Sequence, residues 1–350
     1  MKKTIMAIAA LLLGTNAVQA GEQIHIVGSS TVYPFSSYVA EELGATTKFK
    51  SPIVESTGSG GGMKLFCAGN GLDTPDMSNA SRRMKDKEFK TCHENGVTEI
   101  TEVVVGYDGI ALAQSTTAKP MNLTRKEILL AVAAEVPNKD GTALIANPYH
   151  YWDEINAELP HRKITFYGPP TSSGTRDAFE DLTMKAVAKK MDVYTNLYKA
   201  DKKKNKKYKK YHQVRQDGVY VPSGENDNLI VQKLVKDTAA LGIFGYSYLA
   251  ENSDRIAAAT IAGVAPSPIA VQSGKYSLSR SLYFYIKKSH IEKVPGMKEY
   301  ISMFTSEQMV GDEGACTEIG LIALPEEMRE HYRKQAKNLT NLNAEDLKKK

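Results

Sequence analysis

Short apolar runs alternate with helix-like segments along the first third of the chain. The runs IHIV at 24–27 and SPIVES at 51–56 are typical of buried strands, and each is followed by small residues and a helical pattern. The runs VTEITEVVV at 97–105 and YDGIALAQ at 107–114 predict two further strands. This βαβ rhythm predicts an α/β fold with a largely parallel sheet and helices on its faces.

The pattern begins afresh near residue 120. Thr124 precedes the helical segment RKEILLAVAAEV, and Glu127 follows it at the spacing of a capping box. Apolar runs at 163–168 and 277–289 predict later strands, the second rich in aromatic residues. We therefore predict two domains, joined by a chain that enters the second and returns: residues 21–114 plus 271–350 form domain I, and residues 115–270 form domain II.

The length and composition agree with two globular domains. The chain has 350 residues, of which 42% are hydrophobic and 24% charged, and its formal net charge is +5.

The segment ADKKKNKKYKKYHQVR at 200–215 interleaves lysine with tyrosine, a pattern found in proteins that bind single-stranded nucleic acid. The alternative is a solvated lysine-rich surface, which we prefer because no nucleic-acid motif accompanies the run.

The first twenty residues have the pattern of a secretory signal. MKKTIMAIAALLLGTNAVQA combines two lysines, a short apolar run and small residues before a cleavage point after Ala20. No later segment is long and apolar enough to predict a membrane span. We therefore expect a soluble, exported protein.

Export to an oxidising compartment permits disulfides. Cys67 and Cys92 are close in sequence and flank one predicted loop–helix unit, so we predict that they pair and that Cys316 is left over, although sequence alone does not fix connectivity. We predict no metal site, because near these cysteines only His93, directly after Cys92, could serve as a histidine ligand. We predict no cofactor either.

Three predicted strand-to-helix turns carry serine, threonine and glycine. We call residues 28–31 (GSST) turn one, residues 57–62 (TGSGGG) turn two and residues 171–175 (TSSGT) turn three. The first turn of a helix exposes unpaired N–H groups and partial positive charge, and glycine lets an anion approach the backbone. Each turn alone could be plain capping. Turns one and two fall in domain I and turn three in domain II, so the three together predict one anion site between the domains.

Enzyme signatures do not emerge from these turns. The glycine spacing of TGSGGG does not match a dinucleotide-binding loop, and the chain has no phosphate-binding GxxxxGK[ST] loop. No nucleophile–base pair is apparent around Ser59. We predict a binding protein. A secreted phosphatase or another phosphoester enzyme that uses the same anion site is the alternative.

Four segments in this order carry a family resemblance: VGSSTVYPF, ESTGSGGGMK, DMSNASRRM and TSSGTRDAF. Together with YDGIALA, ALGIFGYSYL and YSLSRSLYFYI, they resemble the periplasmic phosphate-binding proteins of high-affinity phosphate ABC transporters over most of the chain. The resemblance implies a hinged, two-domain type II periplasmic-binding fold. It also implies one phosphate held in the cleft without metal, a periplasmic location, a monomeric state and an inner-membrane ABC permease as partner.

The resemblance also assigns ligand positions. In turn one it implies Ser30, Thr31 and the backbone of Val32, and in turn two Ser59. In turn three it implies Ser173, Gly174 and Thr175. Asn226 and Asn228 are secondary candidates, although capping the following helix is an alternative role for both.

Two positions depart from the pattern of some family members. Arg82 stands where those members carry an aspartate that accepts the phosphate proton, and Pro169 stands where they carry an arginine. We expect Arg82 and Arg176 to supply the positive charge, although Arg176 could instead pair with Glu180 one helical turn later, and Arg82 could form a salt bridge near the cleft. The proton acceptor stays open among three carboxylates: Asp108, Glu55 and Asp177.

Overall fold

The computed structural model describes residues 21–204, 211–224 and 227–348. The predicted signal at 1–20, residues 205–210 of the lysine-rich run and Asn226 lie outside these residues. In the part of the chain that the structure describes, no helix has the length and apolarity needed to cross a membrane.

The described chain alternates strands and helices. The strands are β1 (His25–Gly28), β2 (Ile53–Ser56), β3 (Met77–Ala80), β4 (Ile100–Ser115), β5 (Asn122–Leu123), β6 (Glu135–Pro137), β7 (Leu144–Ala146), β8 (Phe166–Gly168), β9 (Tyr220–Pro222), β10 (Leu241–Gly245), β11 (Ile256–Ala258), β12 (Thr260–Ile261) and β13 (Ser279–Lys287). The helices are α1 (Tyr33–Thr46), α2 (Gly58–Phe66), α3 (Asp86–Glu94), α4 (Arg125–Val132), α5 (Gly174–Phe179), α6 (Ala186–Ala188), α7 (Asp192–Lys203), α8 (Asn228–Lys236), α9 (Tyr246–Glu251), α10 (Pro268–Gln272), α11 (Met297–Phe304), α12 (Glu307–Val310), α13 (Ala315–Glu318) and α14 (Glu326–Lys337).

The principal sheet is mixed. Its strand order is β2-β1-β3-β13-β4-β10-β8-β9, and β11 also pairs with β4. Strand β1 is parallel to β2 and β3, and β8 is parallel to β9 and β10. Strands β4 and β13 run antiparallel to their neighbours. The prediction of a largely parallel sheet is therefore confirmed at both ends of the sheet and wrong at its centre, where the chain passes between the domains.

Strand β4 is one continuous strand of 16 residues. The sequence pattern predicted two strands, because Gly106 and the polar residues after it look like a break. Residues 100–109 pair with β13, and residues 110–115 pair with β10 and β11. The pairing continues past the apparent break because β4 carries one extra residue, Val105, opposite the step from Leu282 to Tyr283 in β13. Strand β4 therefore belongs to both domains.

Separate hydrophobic cores lie on the two sides of this crossing. The domain I core includes Val103, Leu282 and Phe284 from the two central strands. The domain II core includes Ile110 and Leu278. This packing favours a crossing near residue 109 and a return just before β13, and the exact domain boundaries remain a prediction.

Two predicted helices begin earlier than their apolar patterns suggested. Helix α2 begins at Gly58, so most of turn two is helical, although the apolar pattern of this helix begins only at Met63. Helix α5 begins at Gly174 and continues through a π-helical segment, Glu180–Lys185. Glycine and hydroxyl residues have no apolar periodicity, so the pattern could not reveal these first turns.

The other helix predictions had mixed outcomes. The capping box of α4 is confirmed: Glu127 N–H donates to Thr124 Oγ1 at 3.2 Å, and Thr124 N–H donates to Glu127 Oε2 at 2.7 Å. The capping role considered for Asn228 is wrong, because Asp227 occupies the N-cap position and Asn228 is the first helical residue of α8.

The predicted disulfide is confirmed. Cys67, which follows α2, is bonded to Cys92 of α3, and Cys316 is a free, buried cysteine. Burial raises the pKa of the Cys316 thiol to about 12, so this thiol stays protonated and unreactive at neutral pH. The disulfide links α2, which carries most of turn two, to α3, which follows the segment after β3.

Candidate functional site

Turn one is held tightly against β3. Gly28 has a φ of +134°, and a β-carbon there would lie 2.1 Å from the carbonyl oxygen of Asn79, so only glycine fits. The Ser29 N–H donates to that same oxygen at 3.0 Å, and the Thr31 N–H donates to Ser29 Oγ at 3.2 Å. Thr31 is buried, and Ser30 is partly exposed. Hydrogen bonds and close packing against β3 therefore hold turn one in place at the start of α1.

Turn two lies directly beside turn one. The Thr57 N–H donates to the Gly28 carbonyl at 2.8 Å. A β-carbon at Gly62 would lie 2.5 Å from Gly28 Cα, which explains the glycine there: it lets α2 approach the end of β1. Ser59 Oγ accepts a hydrogen bond from the Ser81 N–H at 3.0 Å, which connects the turn to the end of β3.

Turn three reaches turn one from the other domain. It follows β8, and Ser173 Oγ caps α5 by accepting from the Thr175 N–H at 3.2 Å. The hydroxyl of Thr31 lies 3.3 Å from the carbonyl oxygen of Gly174 and donates to it. The structure therefore brings together turns one and three, as the sequence predicted, across the boundary between the domains.

Arg82 lies beside the start of α2. A β-carbon at Gly60 would lie 3.8 Å from Arg82 Nη2. Both terminal nitrogens of Arg82 contact Glu88, at 2.6 and 2.9 Å, and the side chain is 28% exposed. The salt bridge considered for Arg82 is therefore present, and it lies next to turn two. The next residue, Arg83, points to a different partner, the buried carboxylate of Glu102, at 2.6 Å.

Arg176 is buried beneath turn three. Its Nε donates to Glu180 Oε1 at 2.8 Å, so the ion pair considered from the sequence is present. Its guanidinium carbon lies 4.2 Å from the centre of the Tyr220 ring. Tyr220 in turn donates to the Pro169 carbonyl at 2.7 Å, and burial raises the pKa of its hydroxyl to about 12. Arg176 thus brings a buried positive charge close to the start of α5.

Arg280 of β13 is a site residue that our sequence reasoning missed. Its Nη2 donates to Thr31 Oγ1 at 2.6 Å and lies 3.4 Å from the Gly174 carbonyl oxygen, while its Nε donates to Asp108 Oδ2 at 3.2 Å. The side chains of Arg280 and Asp108 are 9% and 14% exposed. Burial raises the pKa of the Asp108 carboxyl, and the adjacent guanidinium opposes that shift.

A signal for this pair was present in the sequence. Each of the two residues is the single charge in an otherwise apolar or small-residue stretch, RSLYFYI for Arg280 and YDGIALA for Asp108. A charged residue inside a buried strand needs a partner, because isolated buried charge is costly. Two such strands with opposite lone charges predict a pair, provided that the strands are neighbours.

The remaining candidates are more peripheral. Glu55, at the end of β2, is exposed, and its Oε2 lies 2.5 Å from His25 Nε2, at hydrogen-bond distance. Asp177 is exposed on α5. Asp108 is linked to the junction of turns one and three through its contact with Arg280.

The arrangement suits a small anion. Turn one lies against the starts of both α2 and α5, and hydroxyl groups are present at all three turns. Arg82 lies beside α2, Arg176 is part of α5 and Arg280 contacts turns one and three. Backbone N–H groups at helix starts and hydroxyl groups are donors for oxyanions, and guanidinium adds charge.

Comparison with known proteins identifies the class. A family model described as a PBP superfamily domain matches residues 15–308, and the chain belongs to this superfamily. It has the two-domain periplasmic-binding fold found in that class. The expectation of this fold from the sequence is therefore confirmed.

Individual relatives are similar over nearly the whole chain. Protein SphX of a Synechocystis species is 28% identical, over 93% of this chain and 87% of its own length. Phosphate-binding protein PstS of Staphylococcus saprophyticus is 26% identical, over 92% of this chain and 86% of its own length. The crystal structure of a possible phosphate-binding protein from Planctomyces limnophilus has a TM-score of 0.69 and 28% identity, covering 92% of this chain and all of that one.

Proposed function

We propose that the protein is an exported receptor that binds inorganic phosphate between its two domains. The contact between Thr31 and Gly174 carries the proposal, because it joins donor-rich turns from both domains at one point. Names of similar proteins support phosphate as the anion. The proposed ligands are Ser30, Thr31, Ser59, Ser173, Gly174 and Thr175, with the backbone of Val32, and Arg82 and Arg176 supply charge.

The number of donors is sufficient for tight binding. Hydrogen bonds to charged groups contribute roughly 1.5–3 kcal/mol each. A micromolar dissociation constant requires only about 8 kcal/mol. Several hydrogen bonds therefore suffice even after desolvation and domain closure oppose most of the gross gain.

Delivery to a membrane permease completes the proposed role. The protein is secreted to the periplasm by a signal cleaved after Ala20, acts there as a monomer, and transfers phosphate to an inner-membrane ABC permease. Phosphate favours the closed arrangement of the domains through its better contacts there. The role is binding without catalysis, since the named relatives are phosphate-binding proteins.

Isothermal titration of the mature protein with phosphate, sulfate and arsenate tests the proposal. We expect a phosphate dissociation constant near micromolar or below, and no binding in that range would contradict the proposal. A parallel assay with p-nitrophenyl phosphate tests the absence of catalysis. Turnover by pure protein that is lost in Ser59→Ala would instead identify a phosphoester enzyme.

The lysine-rich run has no part in the proposed site. Deletion of 202–210 is expected to leave phosphate affinity unchanged. A clear loss of affinity in the deletion variant would assign the run to phosphate binding.

A further inference from the structure

We infer that Arg280 is a positioning residue that couples the two halves of the phosphate site through the hydroxyl of Thr31. The inference rests on the proposed function and deepens it. Arg280 stands on β13, one of the two central strands, and its guanidinium contacts both Thr31 in turn one and Gly174 in turn three.

Asp108 holds the Nε side of the Arg280 guanidinium, opposite the nitrogen that contacts the turns. Arg280 and Asp108 are directly opposite each other in the pairing of β13 with β4. Arg280 Nε donates to Asp108 Oδ2 at 3.2 Å, which leaves Nη2 directed toward the turns. Because guanidinium is planar and rigid, holding Nε in place also sets the direction of Nη2. Asp108 therefore holds the Arg280 side chain in one orientation.

The Arg280 side chain determines the direction in which the Thr31 hydroxyl donates its proton. A hydroxyl has one proton to donate and two lone pairs that accept. Arg280 Nη2 donates to Thr31 Oγ1 at 2.6 Å, so Thr31 is an acceptor on that side. Its proton is directed to the Gly174 carbonyl in this structure, at 3.3 Å. When phosphate enters, the Thr31 hydroxyl donates to a phosphate oxygen instead. Because Arg280 still donates to Thr31 Oγ1, the hydroxyl remains a hydrogen-bond donor to the anion.

The Arg280 side chain also keeps a hydrogen-bond donor near the Gly174 carbonyl during this change. Arg280 Nη2 lies 3.4 Å from that oxygen, so the carbonyl keeps a donor nearby when Thr31 turns away. A buried carbonyl left without a donor would be costly. Arg280 thereby lowers the cost of redirecting Thr31 and places a positive charge close to the anion. A lysine offers a single ammonium in place of the fork, and it cannot hold Asp108 and both turns in this geometry.

A double-mutant cycle tests the coupling. We expect Arg280→Lys to weaken phosphate binding by about tenfold or more, as loss of hydrogen bonds to a charged group does. The same loss is expected in a Thr31→Ser background, which keeps the hydroxyl. In a Thr31→Val background, Arg280→Lys should cost no more than about threefold, because the hydroxyl that it positions is absent. An equal loss in all three backgrounds would overturn the inference.

Two further measurements complete the experiment. The control Arg255→Lys changes an exposed arginine on domain II and is expected to leave affinity unchanged. Asp108→Asn releases the anchor and is expected to reproduce the background dependence of Arg280→Lys, and it substitutes for that variant should Arg280→Lys fail to fold. Losses from Asp108→Asn that are independent of residue 31 would count against the inference.

A ligand-free measurement separates this inference from the proposed function. Small-angle X-ray scattering without phosphate should show a larger radius of gyration for Arg280→Lys than for wild type, because a contact between the domains is lost. Wild-type protein that fails to bind phosphate would contradict the proposed function, while the scattering comparison would still test the bridging role. Equal radii for the two proteins would overturn that role.

Discussion

The backbone of Gly174 lies against the backbone of Thr31. A β-carbon at Gly174 would lie 2.8 Å from the Thr31 nitrogen, closer than side chains approach a backbone. Because we predict Gly174 in domain II and Thr31 in domain I, we expect the absence of a side chain at Gly174 to set how closely the two halves of the site approach.

Gly174→Ala should therefore weaken phosphate binding. The methyl group would separate turns one and three, and we expect affinity to fall by about tenfold or more, since hydrogen bonds to an anion depend steeply on distance. Isothermal titration measures the effect. Gly69→Ala is the matched control, because its β-carbon would have only an ordinary contact, at 3.7 Å from Thr74. Unchanged affinity in Gly174→Ala would mean that phosphate does not need this approach.

Arg82 and Glu88 should have opposite effects on binding. Arg82→Gln removes positive charge beside turn two and is expected to weaken phosphate binding by about tenfold. Glu88→Gln removes the carboxylate that holds Arg82 and is expected to strengthen binding by a factor of about three, because the guanidinium no longer has a competing anion. Titration of both variants distinguishes a ligand from a structural salt bridge. Equal losses in the two variants would show that Arg82 serves the fold alone.

Arg176→Ala should affect both affinity and stability. We expect phosphate affinity to fall by well over about tenfold, since a buried charge near α5 is removed. Stability to urea should also fall, on the order of 3 kcal/mol, because Glu180 would keep a buried charge without this partner. Arg176→Ala/Glu180→Gln is the control, and it should recover much of the stability while affinity stays low. Unchanged affinity in Arg176→Ala would confine this residue to its ion pair.

Lys287 should make stability depend on pH in the alkaline range. Burial lowers the pKa of its ammonium to about 8 from 10.5, although Nζ donates to the Gly69 carbonyl at 2.8 Å and to Thr74 Oγ1 at 2.6 Å. Between these two pKa values the unfolded chain binds more protons than the folded chain. The contribution of Lys287 to the free energy of unfolding therefore rises with pH from about 8 to about 10.5, by on the order of 3 kcal/mol.

Urea denaturation across that pH range measures the effect. The stability of wild type relative to Lys287→Met should increase with pH, and the comparison cancels the tyrosines that also titrate there. The exposed Lys298 is the control, and the difference from Lys298→Met should stay flat. A flat difference for Lys287→Met as well would mean that burial does not depress this pKa.

The sequence predicted the parts of the fold that periodic patterns encode. Strand β1, helix α1 and the cap at Thr124 follow directly from apolar spacing and capping chemistry. Strand β4 was divided in two, because Gly106 looks like a break until the pairing with β13 is known. The first turn of α2, from Gly58 onward, has no apolar pattern to detect, and the close approach of Gly62 to β1 becomes visible only in the structure.

The site was predictable as far as it depends on local chemistry. Ser59, Thr31 and Gly174 stand at turns whose composition alone indicates an anion site. Arg280 is different, because its role depends on facing Asp108 more than 170 residues away in the chain. Such a pair follows from strand order, which the sequence pattern did not supply.

The shared strand β4 also limits how the protein can be divided. Because residues 100–109 and 110–115 belong to different halves of the sheet, excising domain II would cut a strand in its middle and expose hydrogen-bonding edges in both fragments. Exchange of domain II with that of a relative would need junctions inside β4 and just before β13. We therefore expect the two halves to unfold together, although their cores are separate.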